Sequence, residues 1–212
     1  ENRKLWEESR DASIKNLKGL YKILEIDFDE WIGESFYEDK LPKLLQELKE
    51  KGIAQESKGA LIIPLEKYNL PPALIRKSDG ATLYLTRDIA SLEHRLEKYK
   101  SDLILYVVDN SQTLHFQQLF SIADILGLKG QITHIKFGLL LGKDLKKLSS
   151  RGGTGIELNS VINEAVGRAR KILEEKEADM DEEEKDEVAQ IVGIGSLKYN
   201  DLSQSRVADI TF

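Results

Sequence analysis

Ser78-Asp79-Gly80-Ala81-Thr82-Leu83-Tyr84-Leu85-Thr86-Arg87-Asp88 is the stretch from which the rest of the chain is read. Asp79-Gly80 is a turn pair. Beyond it, Leu83 and Leu85 point to one face of an expected strand and Tyr84 to the other. Thr86 is the expected N-cap of a helix running on through Ile89, Leu92 and Leu96, which places Asp88 in the first turn. There the helix dipole favours an ionised carboxylate. Two readings of that carboxylate are open. In one, Asp88 merely complements the dipole and Tyr84 is a core aromatic. In the other, carboxylate and phenol together receive a planar guanidinium, whose donors sit in a fixed fork.

Composition bounds the classes without choosing among them. A chain of 212 residues forms one large or two small domains, and 41% hydrophobic residues is ordinary for a soluble protein. The absence of cysteine excludes disulfides and thiolate metal sites, and three scattered histidines make no zinc pattern, so no metal site is expected. No apolar run approaches the ~20 residues of a membrane span. The charged opening Glu1-Asn2-Arg3-Lys4 lacks the apolar region of a signal peptide. A cytoplasmic chain with no membrane partner is expected. The net charge of -6 argues against a general nucleic-acid binder, since phosphate neutralisation rests on Lys and Arg. Much of the acidity lies between Glu174 and Glu187, read as a solvated loop or helix face, whereas Lys143, Lys146, Lys147 and Arg151 cluster in one loop.

Periodicity predicts a helix from Arg3 to Leu24, with Leu5, Ile14, Leu17, Leu20 and Tyr21 at its apolar positions, and a strand near Phe28 to Trp31. A helix from Asp39 to Lys51 ends at Gly52. Ile53 to Leu65 then reads as two short strands joined near Ser57-Lys58-Gly59, an inserted α+β segment. Two strand–helix units follow: Leu83 to Leu85 into the Asp88 helix, and Leu103 to Val108 into a helix from Thr113 to Leu126 that stops at Gly127. Ile132 to Phe137 is a third strand. Such alternation predicts an α/β fold whose parallel sheet is covered on both faces. Ligands of such sheets bind at the carboxyl ends of the strands. Tyr84 and Asp88 follow the first strand, Asn110, Gln112 and His115 the second, and Phe137-Gly138 end the third. His115 and Gln118, three apart on a helix, can face one ligand, although a lone histidine there is equally a cap or core residue.

Tyr84-Leu85-Thr86-Arg87-Asp88, then Tyr106-Val107-Val108, Leu114-His115-Phe116, Phe137-Gly138-Leu139 and Lys198-Tyr199-Asn200-Asp201-Leu202 occur in an order that resembles the catalytic domain of the arginyl-tRNA synthetases, a class I aminoacyl-tRNA synthetase family. The resemblance spans nearly the whole chain. It implies a Rossmann-like parallel sheet, the second half of the nucleotide-binding fold lying at 78–158. Residues 1–32 would be a helix and strand of the same domain, 33–77 the insertion, and 159–212 a helical junction toward an anticodon-binding domain. It implies arginine–tRNA ligase chemistry with L-arginine, ATP–Mg2+ and tRNA(Arg) as substrates, no tightly bound cofactor, and a monomeric full-length protein. Members of this family also need tRNA bound before they activate arginine.

By the same resemblance, Tyr84, Asp88 and Gln112 would form the arginine side-chain pocket, with Asp88 paired to the guanidinium. His115, Gln118, Phe137, Gly138 and Leu139 would lie at ATP, Gly138 letting the adenine approach strand-end backbone because it has no side chain. Lys143 to Gly155 looks like the class I KMSKS loop. Ser149 and Ser150 would contact the nucleotide, and Lys147 and Arg151 would stabilise charge on the leaving pyrophosphate. Lys147-Leu148-Ser149-Ser150-Arg151 departs from the motif, because Ser150 stands where its second lysine belongs. Lys198 and Arg206 are either tRNA contacts or ordinary helix-surface cations.

No HIGH-type sequence occurs, so the resemblance is to an incomplete part of the domain. An alternative is a non-catalytic arginine- or tRNA-binding module; a further one is another nucleotide-binding α/β enzyme, such as a nucleotidyltransferase. The chain alone is expected to form no arginyl-adenylate, because the transition state needs both halves of the ATP site. Arginine-dependent pyrophosphate exchange by this chain in the presence of tRNA(Arg) would contradict that expectation.

Overall fold

The computed structural model describes residues 2–142, 155, 157–176 and 179–211. Lys147, Ser149, Ser150 and Arg151 therefore lie outside the described residues. The chain divides into two compact units, residues 32–139 and residues 1–31 with 140–212.

The 32–139 unit holds one continuous apolar core. A 3-10 segment, Glu34–Lys40, leads into helix α2, Leu41–Glu50, preceded in the chain by α1, Asn2–Ile23. Leu41, Leu44 and Leu48 recur at helical spacing and are all buried. Gly52 adopts φ +67° just past the helix end, where the backbone N–H groups of Ile53 and Ala54 turn back to Leu48 O. Strands β1, Gln55–Ser57, and β2, Ala60–Ile63, join through Lys58-Gly59, both at positive φ as a two-residue hairpin requires. Strand β3, Ala73–Arg76, completes an antiparallel sheet in the order β1-β2-β3.

Helix α3, Tyr84–Tyr99, starts two residues before the expected N-cap, and the expected strand at Leu83–Leu85 is absent. Leu83 is the extended N-cap residue. Thr86, fully buried, is the third residue of the helix: its hydroxyl donates to Ile75 O on β3 and accepts from Leu83 N–H at 3.4 Å. The apolar periodicity belongs to the helix, since Leu85, Ile89 and Leu92 fall on one face and all are buried. Asp88 is consequently in the second turn of α3, where the dipole acts more weakly than in the first.

Strand β4, Leu103–Asp109, helix α4, Thr113–Ile125, and strand β5, Gln131–Phe137, form a parallel strand–helix–strand unit, paired in register from Leu103↔Gln131 to Asp109↔Phe137. Among the described residues the parallel sheet has these two strands. It is covered on one face only, contrary to the expectation of two: Ile104 and Tyr106 are buried, whereas Leu105 and Val107 are 52% and 65% exposed.

In the other unit, α1 has no buried residue. The expected strand near Phe28 is instead an irregular segment whose Phe28 and Trp31 rings pack with Tyr21, centroids 5.1 to 5.7 Å apart. Helices α5, Leu158–Glu175, and α6, Glu182–Ser203, lie against each other. A side chain at Gly193 would stand 2.7 Å from Val166 Cα, so glycine permits the close crossing. Of the acidic run, Glu174 and Glu175 close α5 and Glu182 to Glu187 open α6, where Asp181 and Glu184 form a reciprocal capping box. Short strands β6, Leu140–Leu141, and β7, Ile210–Thr211, pair in parallel.

Thr86→Val keeps the volume and removes both hydroxyl bonds, leaving Ile75 O without its donor. It is expected to destabilise the protein by about 1–2 kcal/mol. An unchanged urea midpoint would contradict the seating of α3 described here.

Candidate functional site

The carboxyl ends of β4 and β5 lie side by side, so Asp109 and Phe137 are neighbours and Gly138-Leu139 leave the sheet beside the 3-10 turn Asn110–Gln112. That turn is fixed at both ends. Asp109 Oδ1 accepts from Ser111 N–H at 3.0 Å and from the Ser111 hydroxyl, and Thr113 Oγ1 donates to Asn110 O at 2.7 Å. Gln112 stands exposed immediately before α4 as a result.

His115, in the first turn of α4, meets Asp88 of α3. Its Nε2 lies 2.6 Å from Asp88 Oδ2, and both side chains are partly shielded. Tyr84 is one turn before Asp88 on the same face of α3 and is 62% exposed. The structure thus joins two of the sequence-predicted residues directly and sets Tyr84 and Gln112 at the adjoining helix starts. Gln118 does something else: its Nε2 donates to Pro71 O at 3.0 Å, tying α4 to the segment before β3.

Behind the pair, the buried Tyr106 ring packs against Phe116 at 5.0 Å and carries the Arg95 guanidinium over its face at 5.3 Å. Burial pushes the Tyr106 phenol above its ordinary range; the Arg95 charge opposes this and the Asp88 charge adds to it. His134 of β5, the cross-strand neighbour of Tyr106, also packs on Phe116, ring centroids 4.4 Å apart, with Nε2 3.0 Å from Val108 O. That geometry makes Nε2 the protonated nitrogen of His134 when the ring is neutral.

Thr86, by sequence an expected N-cap, clamps the helix through its burial against β3. Arg87 Nε and Nη2 reach Glu38 Oε1 at 2.6 and 2.5 Å, and its Nε stands 3.8 Å from Glu34. Arg95 is a surface cation by sequence. The only available signal was the Glu34/Glu38 spacing, which puts two carboxylates on one side of a turn. Asp88 thus presents a part-exposed carboxylate one helical turn from the Tyr84 phenol, suited to a planar cationic donor. Among the described residues no cluster of His, Asp and Glu is arranged to hold a metal ion.

The family described as tRNA synthetases class I (R), catalytic domain, matches residues 1–212. Over 210 residues the chain is 43% identical to an arginine–tRNA ligase from Halothermothrix orenii, covering 98% of this chain and 37% of that relative. An arginine–tRNA ligase from Clostridium perfringens is 42% identical with the same coverage. Among solved structures, arginyl-tRNA synthetase from Plasmodium falciparum superimposes with a TM-score of 0.84 at 27% identity, over 99% of this chain and 35% of that one. The chain spans about 37% of the length of these curated relatives.

Arg87→Ala releases Glu34 and Glu38 and is expected to cost about 1 kcal/mol at low salt, less at 1 M NaCl where exposed charges are screened. Arg87→Lys should recover only part of this, because a point charge does not reproduce the planar donor set. Urea midpoints at the two salt concentrations check it; a loss independent of salt would contradict the ion-pair account.

Proposed function

We propose that this chain, which belongs to the catalytic-domain family of the class I arginyl-tRNA synthetases, supplies the arginine-recognition part, and part of the ATP site, of an arginine–tRNA ligase. The observation that carries the proposal is the position of Asp88. Its carboxylate is half-shielded, one oxygen lies on His115, and Tyr84 is one helical turn away. A guanidinium satisfies such a group with parallel N–H donors, which an ammonium does not. In this reading Gln112 adds a neutral hydrogen bond from the start of α4.

In the proposed reaction the carboxylate of L-arginine attacks the α-phosphate of the ATP–Mg2+ substrate and pyrophosphate leaves. The arginyl group then passes to the terminal ribose of tRNA(Arg). Little covalent chemistry falls to the protein, and positioning with electrostatic stabilisation carries the rate. Phe137, Gly138 and Leu139, at the end of β5, are the proposed contacts of the adenine, with His115 on the nucleotide side of α4. Lys147 and Arg151 are the proposed cations for the pyrophosphate, with Ser149 and Ser150 beside them. No helix among the described residues is long and apolar enough to cross a membrane; a cytoplasmic, monomeric enzyme is the proposal consistent with the family.

Titration calorimetry with L-arginine tests the recognition step, with L-lysine and L-citrulline as controls. Saturable binding of L-arginine alone is expected. Asp88→Ala should weaken it by about 100-fold or more, since a site built for those hydrogen bonds leaves its polar groups unpaired without them. A folded chain that bound L-arginine and L-citrulline equally, or neither, would overturn the proposal for this chain.

A further inference from the structure

A carboxylate recognises a guanidinium by its plane as well as its charge, so something must fix the two side-chain torsions of Asp88 before arginine arrives. The neighbouring arginines do not supply that restraint. Arg87, next in the chain, is committed to Glu38 and Glu34. Arg95, two turns further along α3, lies over the Tyr106 ring. The group on Asp88 is the imidazole of His115, 2.6 Å away on a different helix and bonded through Oδ2. The imidazole is itself held: its ring meets the buried Phe116 edge-on, centroids 5.2 Å apart with an interplanar angle of 84°.

We propose that His115 is a positioning residue for the arginine side chain: the imidazole donates Nε2–H to Asp88 Oδ2, fixing the carboxylate plane that receives the guanidinium. This inference rests on the reading of Asp88 as the guanidinium acceptor. A neutral donor orients the carboxylate without consuming its charge, whereas a resident arginine or lysine would compete with the ligand.

The test is L-arginine calorimetry at pH 8 on the chain and on His115→Phe and His115→Gln, without ATP so that a nucleotide contact of His115 plays no part. Gln places a neutral amide donor near the position of Nε2. His115→Phe should bind L-arginine about tenfold more weakly at pH 8, and His115→Gln should recover most of that loss. Wild-type affinity in His115→Phe, or no recovery in His115→Gln, would overturn the proposal while leaving the arginine site intact. If His115→Phe does not fold, His115→Ala takes its place, with the same loss expected. Absence of arginine binding by the folded wild type would instead overturn the reading of Asp88, and this proposal with it.

Discussion

The seating of α3 on β3 is the constraint on which the rest of this unit depends. Leu85, Ile89 and Leu92 bury one face of the helix, and the Thr86 hydroxyl bonds across to Ile75 O. Burial of such a side chain contributes roughly 1.5–3 kcal/mol, but it is not directional. The hydroxyl bond is directional, and it fixes the rotation and height of the first turn. Because Tyr84 and Asp88 lie on that turn and the next, a slip of one residue would rotate both by about 100° and carry them away from α4. The placement of Tyr84 and Asp88 is set by a buried threonine.

A second level of order lies in how charge is allocated along α3. Arg87 and Arg95 sit on either side of Asp88 in the sequence, and each is drawn off, one by Glu34 and Glu38 and one by an aromatic face. An Asp next to an Arg would ordinarily be spent in a surface ion pair of little value. Here the carboxylate is held by a group that is able to remain neutral. The buried Tyr106 registers the same field, with its phenol raised by burial and by Asp88 against the opposing effect of Arg95. Carboxylate, imidazole and phenol form one electrostatic neighbourhood, backed by Phe116 and His134.

The parallel pair β4–β5 does for the strand ends what β3 does for α3. Its register sets Asp109 beside Phe137, and the Asp109 carboxylate then closes the turn that leads through Gln112 into His115. The side of β4 that carries Leu105 and Val107 remains exposed. Those residues look, in the sequence, like any fully buried parallel strand, because an apolar run states that both faces are fit for burial and not that both are covered.

Much was determined by the sequence alone. The ordered segments from Tyr84 to Leu202 are those of a class I arginyl-tRNA synthetase catalytic domain, and the comparisons bear that out. Helix α1, the β1–β2 hairpin, α4 with its stop at Gly127, and β5 were also legible. Each is specified locally, by apolar spacing, by positive-φ positions at Gly59 and Gly127, or by a cap. Tertiary structure decided what depends on partners distant in the chain. Leu83-Tyr84-Leu85 alternates like a strand, yet Leu85, Ile89 and Leu92 make a helix face once β3 offers Ile75 O to Thr86. Phe28 to Trp31 has strand composition, but its rings find Tyr21 and, among the described residues, no strand to pair with. The bond between Asp88 and His115 joins residues 27 positions apart. No local periodicity encodes such a contact, because the distance between two helix surfaces is fixed by the core that packs beneath them.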